Sequence, residues 1–118
     1  MSQLASPDRV RTAQEVFDHH LRAFGQGLDA LVSDYTEHSS IFLKDQTITG
    51  LDGIRAFFDA FLKGIEPGFW ACFKIVRQEV SGDTAYLVWE ASPFIKLATD
   101  TLLIRNGKIH VQTFTALA

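Results

Sequence analysis

Leu97-Ala-Thr-Asp-Thr-Leu-Leu-Ile-Arg-Asn-Gly-Lys-Ile-His-Val-Gln-Thr-Phe-Thr115 decides the fold class. Asn106-Gly107 is the strongest short-range hairpin signal in the chain, because both central residues of the favoured two-residue turn need positive φ. It joins a run from about Leu97 to Arg105 to another from Lys108 to Thr115, and so predicts two long antiparallel strands. Upstream, Ser81-Gly-Asp83 is a second tight turn, here between predicted strands Trp70–Val80 and Thr84–Ser92. Everything beyond Pro67-Gly68 therefore reads as a β-meander.

The preceding half reads as helix. Ser6-Pro7 places a capping hydroxyl before a proline, and Asp8 adds favourable charge to the first turn. Val10, Ala13, Phe17, Leu21 and Phe24 then mark one apolar stripe, which Gly25-Gln-Gly27 ends. A short second helix is predicted over Leu28–Tyr35. Ser39–Leu43 reads as a strand, followed by a polar loop and Thr47-Ile-Thr49. Gly50–Leu62 is a third helix, with Leu51, Ile54, Phe57, Phe58, Phe61 and Leu62 on its buried side. Three helices followed by a meander predict an α+β domain, its helices packed on the concave face of a curved, mostly antiparallel sheet. At 118 residues, with no repeat or low-complexity tract, residues 1–118 are expected to form a single domain.

Composition narrows the function. A net charge of −3 and a pI near 5.7 give no electrostatic footprint for nucleic acid or an anionic membrane. No apolar stretch is long enough to span a bilayer, and the N-terminus has no signal-peptide core, so a reducing cytoplasm is the expected compartment. The lone Cys72 sits in an apolar run and reads as a buried, inert thiol. The four histidines include no pair at metal-ligand spacing, so neither metal nor other cofactor is expected. No phosphate loop or nucleophile elbow is present. Ten Phe, two Trp and two Tyr point instead to a core or pocket walled by rings.

Three stretches carry a family resemblance: Gly27-Leu-Asp-Ala-Leu-Val-Ser-Asp-Tyr-Thr-Glu-His38, Thr49-Gly-Leu-Asp-Gly-Ile-Arg-Ala-Phe-Phe58, and Asp100-Thr-Leu-Leu-Ile-Arg-Asn-Gly-Lys-Ile109. In this order the chain resembles the superfamily of cone-shaped α+β domains that includes nuclear transport factor 2, ketosteroid isomerase, scytalone dehydratase and the SnoaL-like polyketide cyclases. The resemblance implies a deep pocket inside a curved sheet, and a homodimer paired through the open face of that sheet. The superfamily hosts enzymes, carriers and assembly modules alike, so fold does not settle function.

The resemblance also places candidate residues. Asp100, in an otherwise uncharged strand, matches an oxyanion-hole aspartic acid of ketosteroid isomerases, a carboxylic acid kept neutral by an apolar site. Its alternative is a structural carboxylate satisfied by hydrogen bonds. His20 falls on the position of the oxyanion-hole tyrosine if one residue is gapped at Gly27-Leu28, and it lies at the edge of the apolar stripe; His19 reads as surface. The general-base position of ketosteroid isomerases is Leu43 here, so the usual base is missing, and Asp45 reads as a turn cap. Tyr35, Phe57, Phe58 and Leu102 are expected as walls.

Strand parity leaves two alternatives on the fourth predicted strand. One sends Tyr86, Val88 and Glu90 into the pocket, where Glu90 would pair with Asp100 as a second carboxylate. The other sends Leu87 and Trp89 inward. On the last strand His110, Gln112 and Phe114 are expected to share a face, with Gln112 a polar contact and Phe114 a wall. His38 reads as surface or pocket rim. Two functions fit: a metal-free acid–base enzyme of isomerase, dehydratase or cyclase type acting on a small apolar, oxygen-bearing molecule, or a non-catalytic binding or dimerisation module.

Overall fold

Thr12 caps the first helix. The structure, a computed structural model, describes residues 9–118, and the expected Ser6-Pro7-Asp8 start lies outside them. Helix α1 (Ala13–Ala23) opens on a capping box: the Glu15 N–H donates to the Thr12 hydroxyl at 3.1 Å, and the Thr12 N–H donates to the Glu15 carboxylate at 2.9 Å. Arg9 donates to the same carboxylate from two guanidinium nitrogens, and these bonds hold Glu15 at about 2. Val10 lies ahead of the helix and is exposed, so the buried stripe is Val16, Phe17, His20 and Ala23.

Helix α2 (Leu28–Val32) ends before Tyr35, and strand β1 (Tyr35–Phe42) begins four residues earlier than the sequence suggested. Ser39 explains the hidden start. Its hydroxyl accepts from the Thr36 N–H and donates to the Ile109 carbonyl, bridging an irregularity in the register between Tyr35 and Ser40. Strand β2 (Thr47–Thr49) and helix α3 (Leu51–Gly64) follow. Ile54 and Phe58 are buried on α3, with Phe57, Phe61 and Leu62 packed against the core; Leu51 is exposed instead, at the first turn.

The largest departure lies at Phe69–Cys72. These residues form the short helix α4, where the sequence suggested the start of a strand. Gly68, at φ 87°, turns the chain through a conformation that side chains disfavour. The rings of Phe69, Trp70 and Phe73 then pack on one another and on Phe24, Phe61 and Trp89. Tertiary aromatic packing overrides the strand propensity of this run. Cys72, on this helix, is a half-buried free thiol.

Strands β3 (Lys74–Ser81), β4 (Thr84–Ala91), β5 (Ile95–Arg105) and β6 (Lys108–Leu117) complete a curved, open six-stranded sheet of order β2-β1-β6-β5-β4-β3. Only β1 against β6 is parallel. Asn106 and Gly107 take the positive φ their turn requires. The helices pack on one face of this sheet in an α+β arrangement, and the core lies between them. Among the described residues no helix is long and apolar enough to cross a membrane.

Candidate active site

Parity on β4 follows hydropathy. Ala85, Leu87, Trp89 and Ala91 are buried toward the helices, which sends Tyr86, Val88 and Glu90 to the outer face. Tyr86 lies under the Arg77 guanidinium, and Glu90 is 3.9 Å from Lys74 Nζ. None of the three reaches the pocket, so the expectation that they line it is corrected, and Glu90 forms no carboxylate pair with Asp100. An indole and a leucine gain more from burial than a glutamate, whose desolvation would need a partner.

Strand β6 switches face at one residue. Its pairing with β5 shifts between Ile104↔Ile109 and Leu103↔Val111, which leaves His110 as an extra residue. Ile109 before the bulge and Gln112 after it both point into the core. His110 therefore does not share the face of Gln112 and Phe114, as alternation had suggested; its ring is bonded to the Arg105 carbonyl at 3.1 Å.

Between the inner face of β4–β6 and helices α1, α3 and α4 lies a cavity of about 270 Å³. Phe17, Phe24, Phe57, Phe58 and Phe61 wall its helical side, and Leu87, Trp89, Leu102 and Phe114 its sheet side. Among the described residues, the charged, imidazole and amide side chains that line it are His20, Arg22, Asp100 and Gln112. Of the residues expected at the pocket, Asp100, His20, Phe57, Phe58, Leu102, Gln112 and Phe114 do line it. Tyr35 stands one layer behind, fully buried, and donates its hydroxyl proton to Gln112 Oε1.

Asp100 is the chemical centre of this arrangement. Its side chain shares a face with Ala98, Leu102 and Ile104, all buried. Trp89 Nε1–H donates to Oδ1 at 2.9 Å and Gln112 Nε2–H donates to Oδ2 at 2.9 Å. Burial pushes the carboxyl above the usual aspartate range, against the opposing pull of these two bonds and of His20. The polarity of the network matters. Tyr35 occupies the Gln112 carbonyl, so Gln112 turns its amide protons to Asp100, and indole can only donate. Neither neighbour can accept a proton from Asp100. When the carboxyl is protonated, the acceptor for its O–H has to come from the cavity.

His20 is buried on α1, with its ring edge-on to Phe24, Tyr35 and Phe58. Its Nδ1 has no hydrogen-bond partner and lies 3.6 Å from Asp34 Oδ2, beyond bonding distance but within strong electrostatic reach. Asp34 went unnoticed in the sequence. Its side chain is fully buried and meets Arg11 at 3.0 Å and His19 Nδ1 at 2.8 Å. Burial pushes its carboxyl up, but the close approach and charge of His20, the bond to His19 and the Arg11 guanidinium outweigh that, and it sits below the usual range. His19, read as surface, is thus a partner of a buried anion, because Asp34, in the turn between α2 and β1, meets it from beside α1. Ser33-Asp34 at a helix end resembles any polar terminus, and only the pair of adjacent histidines with Arg11 hinted at an acid between them.

Leu43 packs against the core but does not line the cavity, and Asp45 is exposed. His38 is on the surface, 3.5 Å from Glu37. Among the described residues no cluster of three or more His, Cys, Asp and Glu is disposed to hold a metal ion.

No protein-family model and no curated protein matches the sequence. Solved structures do match in fold. A SnoaL-like protein of unknown function from Burkholderia thailandensis aligns at 14% identity over 90% of this chain and 95% of its own, with a TM-score of 0.71. A protein from Shewanella denitrificans, proposed to be a SnoaL-like polyketide cyclase, aligns at 16% identity over 89% and 90%, with a TM-score of 0.70. An NTF2-like protein of unknown function from Cytophaga hutchinsonii aligns at 13% identity over 95% of each chain, with a TM-score of 0.68. At such identities the likeness establishes architecture: this chain has the fold of the SnoaL-like and nuclear transport factor 2-like proteins.

Proposed function

Taking that fold as the frame, we propose that the protein binds a small apolar, oxygen-bearing molecule in the aromatic cavity and moves a proton on it through Asp100, without metal. The observation that carries this reading is the Asp100 carboxyl: it borders an apolar cavity, its affinity for a proton is raised by burial, and its two protein partners are both donors. Such a group gives its proton to a ligand oxygen that is gaining charge and takes one back afterwards, the chemistry of isomerisation, dehydration or cyclisation. His20 is the second polar group in reach of a ligand, held near the buried Asp34 anion.

Cavity size limits the ligand. An apolar cavity of about 150 Å³ holds a benzene molecule, so about 270 Å³ suits one substituted ring or two fused rings, with longer substituents left outside. A non-catalytic binding module is the second reading, and Leu43 favours it, since the chain has no carboxylate where ketosteroid isomerases carry their base. A second copy of the chain is the expected partner. Leu97 and Leu117, paired across β5 and β6, are both exposed.

A thermal-shift screen with phenols, planar ketones and small acids tests the reading on the native protein and Asp100→Asn. A ligand at about 100 times its dissociation constant adds about 2.7 kcal/mol of stability, several degrees for a domain of this length. A phenol or ketone shift that Asp100→Asn alters supports an open site with Asp100 in contact. No shift from any compound, with both proteins melting alike, counts against it.

A further inference from the structure

The chain has six arginines: Arg9, Arg11, Arg22, Arg55, Arg77 and Arg105. Five of them face a carboxylate, Arg9 with Glu15, Arg11 with Asp34, Arg55 with Asp29, Arg77 with Glu79 and Arg105 with Asp83, at separations from 2.7 to 3.4 Å. Among the described residues Arg22 has neither an ion-pair partner nor a side-chain hydrogen bond. It is also the one arginine that borders the cavity. It sits on the last turn of α1, exposed, two residues beyond His20. A cation on that turn suits the helix dipole, but the dipole does not account for the side on which this one lies.

Its surroundings say what it is free to bind. Phe24, Phe61 and the exposed Trp70 line the same cavity, and among the described residues the only carboxylate on its wall is Asp100. An anion entering past Arg22 meets a guanidinium whose donors no described residue uses. A guanidinium presents two parallel N–H groups that match a carboxylate.

Building on the pocket reading above, we propose that the ligand is an amphipathic carboxylate: a ring-sized apolar body whose oxygen function reaches Asp100 and whose carboxylate stays at the mouth on Arg22. The two ends of the site then recognise opposite chemistries. The buried end takes a neutral oxygen that can accept or exchange a proton, and the wet end takes a permanent anion without the cost of desolvating it. A purely apolar ketone would leave Arg22 idle, and a dianion would bring charge to a carboxyl whose surroundings already disfavour it.

Isothermal titration of the full chain with two matched probes, para-propylphenol and para-hydroxyphenylpropanoate, tests this. They share the phenol and differ in the charge at the far end. The propanoate is expected to bind the native protein about two- to fivefold more tightly at low salt, the range of an exposed ion pair. Added salt should erode that preference. Arg22→Gln, a change at an exposed position, should abolish the preference by bringing the propanoate down to the affinity of propylphenol. Equal affinities in the native protein, or a preference that survives in Arg22→Gln, overturn the carboxylate assignment while leaving the pocket reading standing. If neither probe binds, the pocket reading falls and this inference with it.

Discussion

Trp89 and Asp100 are diagonal neighbours across β4 and β5, and the indole N–H of the first donates to Oδ1 of the second at 2.9 Å. The bond holds a carboxyl group against an apolar cavity in a defined orientation and stabilises its ionised form. It sets the terms of the first prediction. Trp89→Phe keeps an aromatic ring beside Phe69 and Phe73 but removes the donor. The Asp100 pKa, already raised by burial, should rise further, because a hydrogen bond to the charged form is lost. A carboxyl-carbon NMR titration reads this directly, and an unchanged or lower value would contradict it.

Asp100 should also leave a mark on stability against pH. Its folded pKa lies above the unfolded value of about 3.9. The folded state therefore binds the extra proton, and this contribution is present below about pH 4 and lost as pH rises through the folded pKa. The melting temperature of Asp100→Asn relative to the native protein should thus improve as pH rises from about 4 and level off above the folded pKa. Parallel profiles for the two proteins would remove the claim that this carboxyl is held against ionisation.

Asp34 carries the opposite sign. Its folded pKa is depressed, so its contribution is present above about 3.9 and lost as pH falls through the folded value. Asp34→Asn leaves Arg11 and His19 without their anion. Loss of one member of a buried pair costs about 3–5 kcal/mol, and the lower end applies because Arg11 is partly exposed. A fall in melting temperature on the order of 10 °C is expected at neutral pH, shrinking on acidification.

Tyr35→Phe removes the hydroxyl that fixes the Gln112 amide. A buried carbonyl left without its donor costs about 1–3 kcal/mol. The amide also becomes free to present its oxygen to Asp100, so Tyr35→Phe should broaden or split the Gln112 side-chain resonances. A single sharp pair, unshifted from the native spectrum, would mean that Tyr35 does not set the orientation.

The helix order, the Asn106-Gly107 hairpin and the placement of Asp100 were legible because they rest on local rules: periodicity, turn chemistry and a charge alone in an apolar strand. What escaped was decided by tertiary contacts. The bulge at His110 breaks the alternation that would have placed His110 with Gln112, and nothing in Lys108–Thr115 announces an extra residue. Helix α4 exists because three rings close over a cavity built from distant segments. The partnership of Asp34 with Arg11 and His19 joins residues 23 and 15 positions apart, which no spacing rule connects. On β4 the sequence left two parities open, and burial decides between them: Leu87 and Trp89 claim the inner face, and Tyr86, Val88 and Glu90 lie on the outer one.

The two tryptophans make the central claim directly observable. Trp89 donates to Asp100 on the cavity wall, while Trp70 stands exposed at the rim. An amide correlation spectrum of nitrogen-labelled protein shows one indole N–H for each, and Trp89→Phe assigns them. On titration with para-propylphenol, the Trp89 indole resonance should move progressively and saturate, because the phenol oxygen arrives at the carboxyl to which that N–H is bonded. A Trp89 resonance that stays in place at saturating probe would contradict the assignment of Asp100 as the group that meets the ligand.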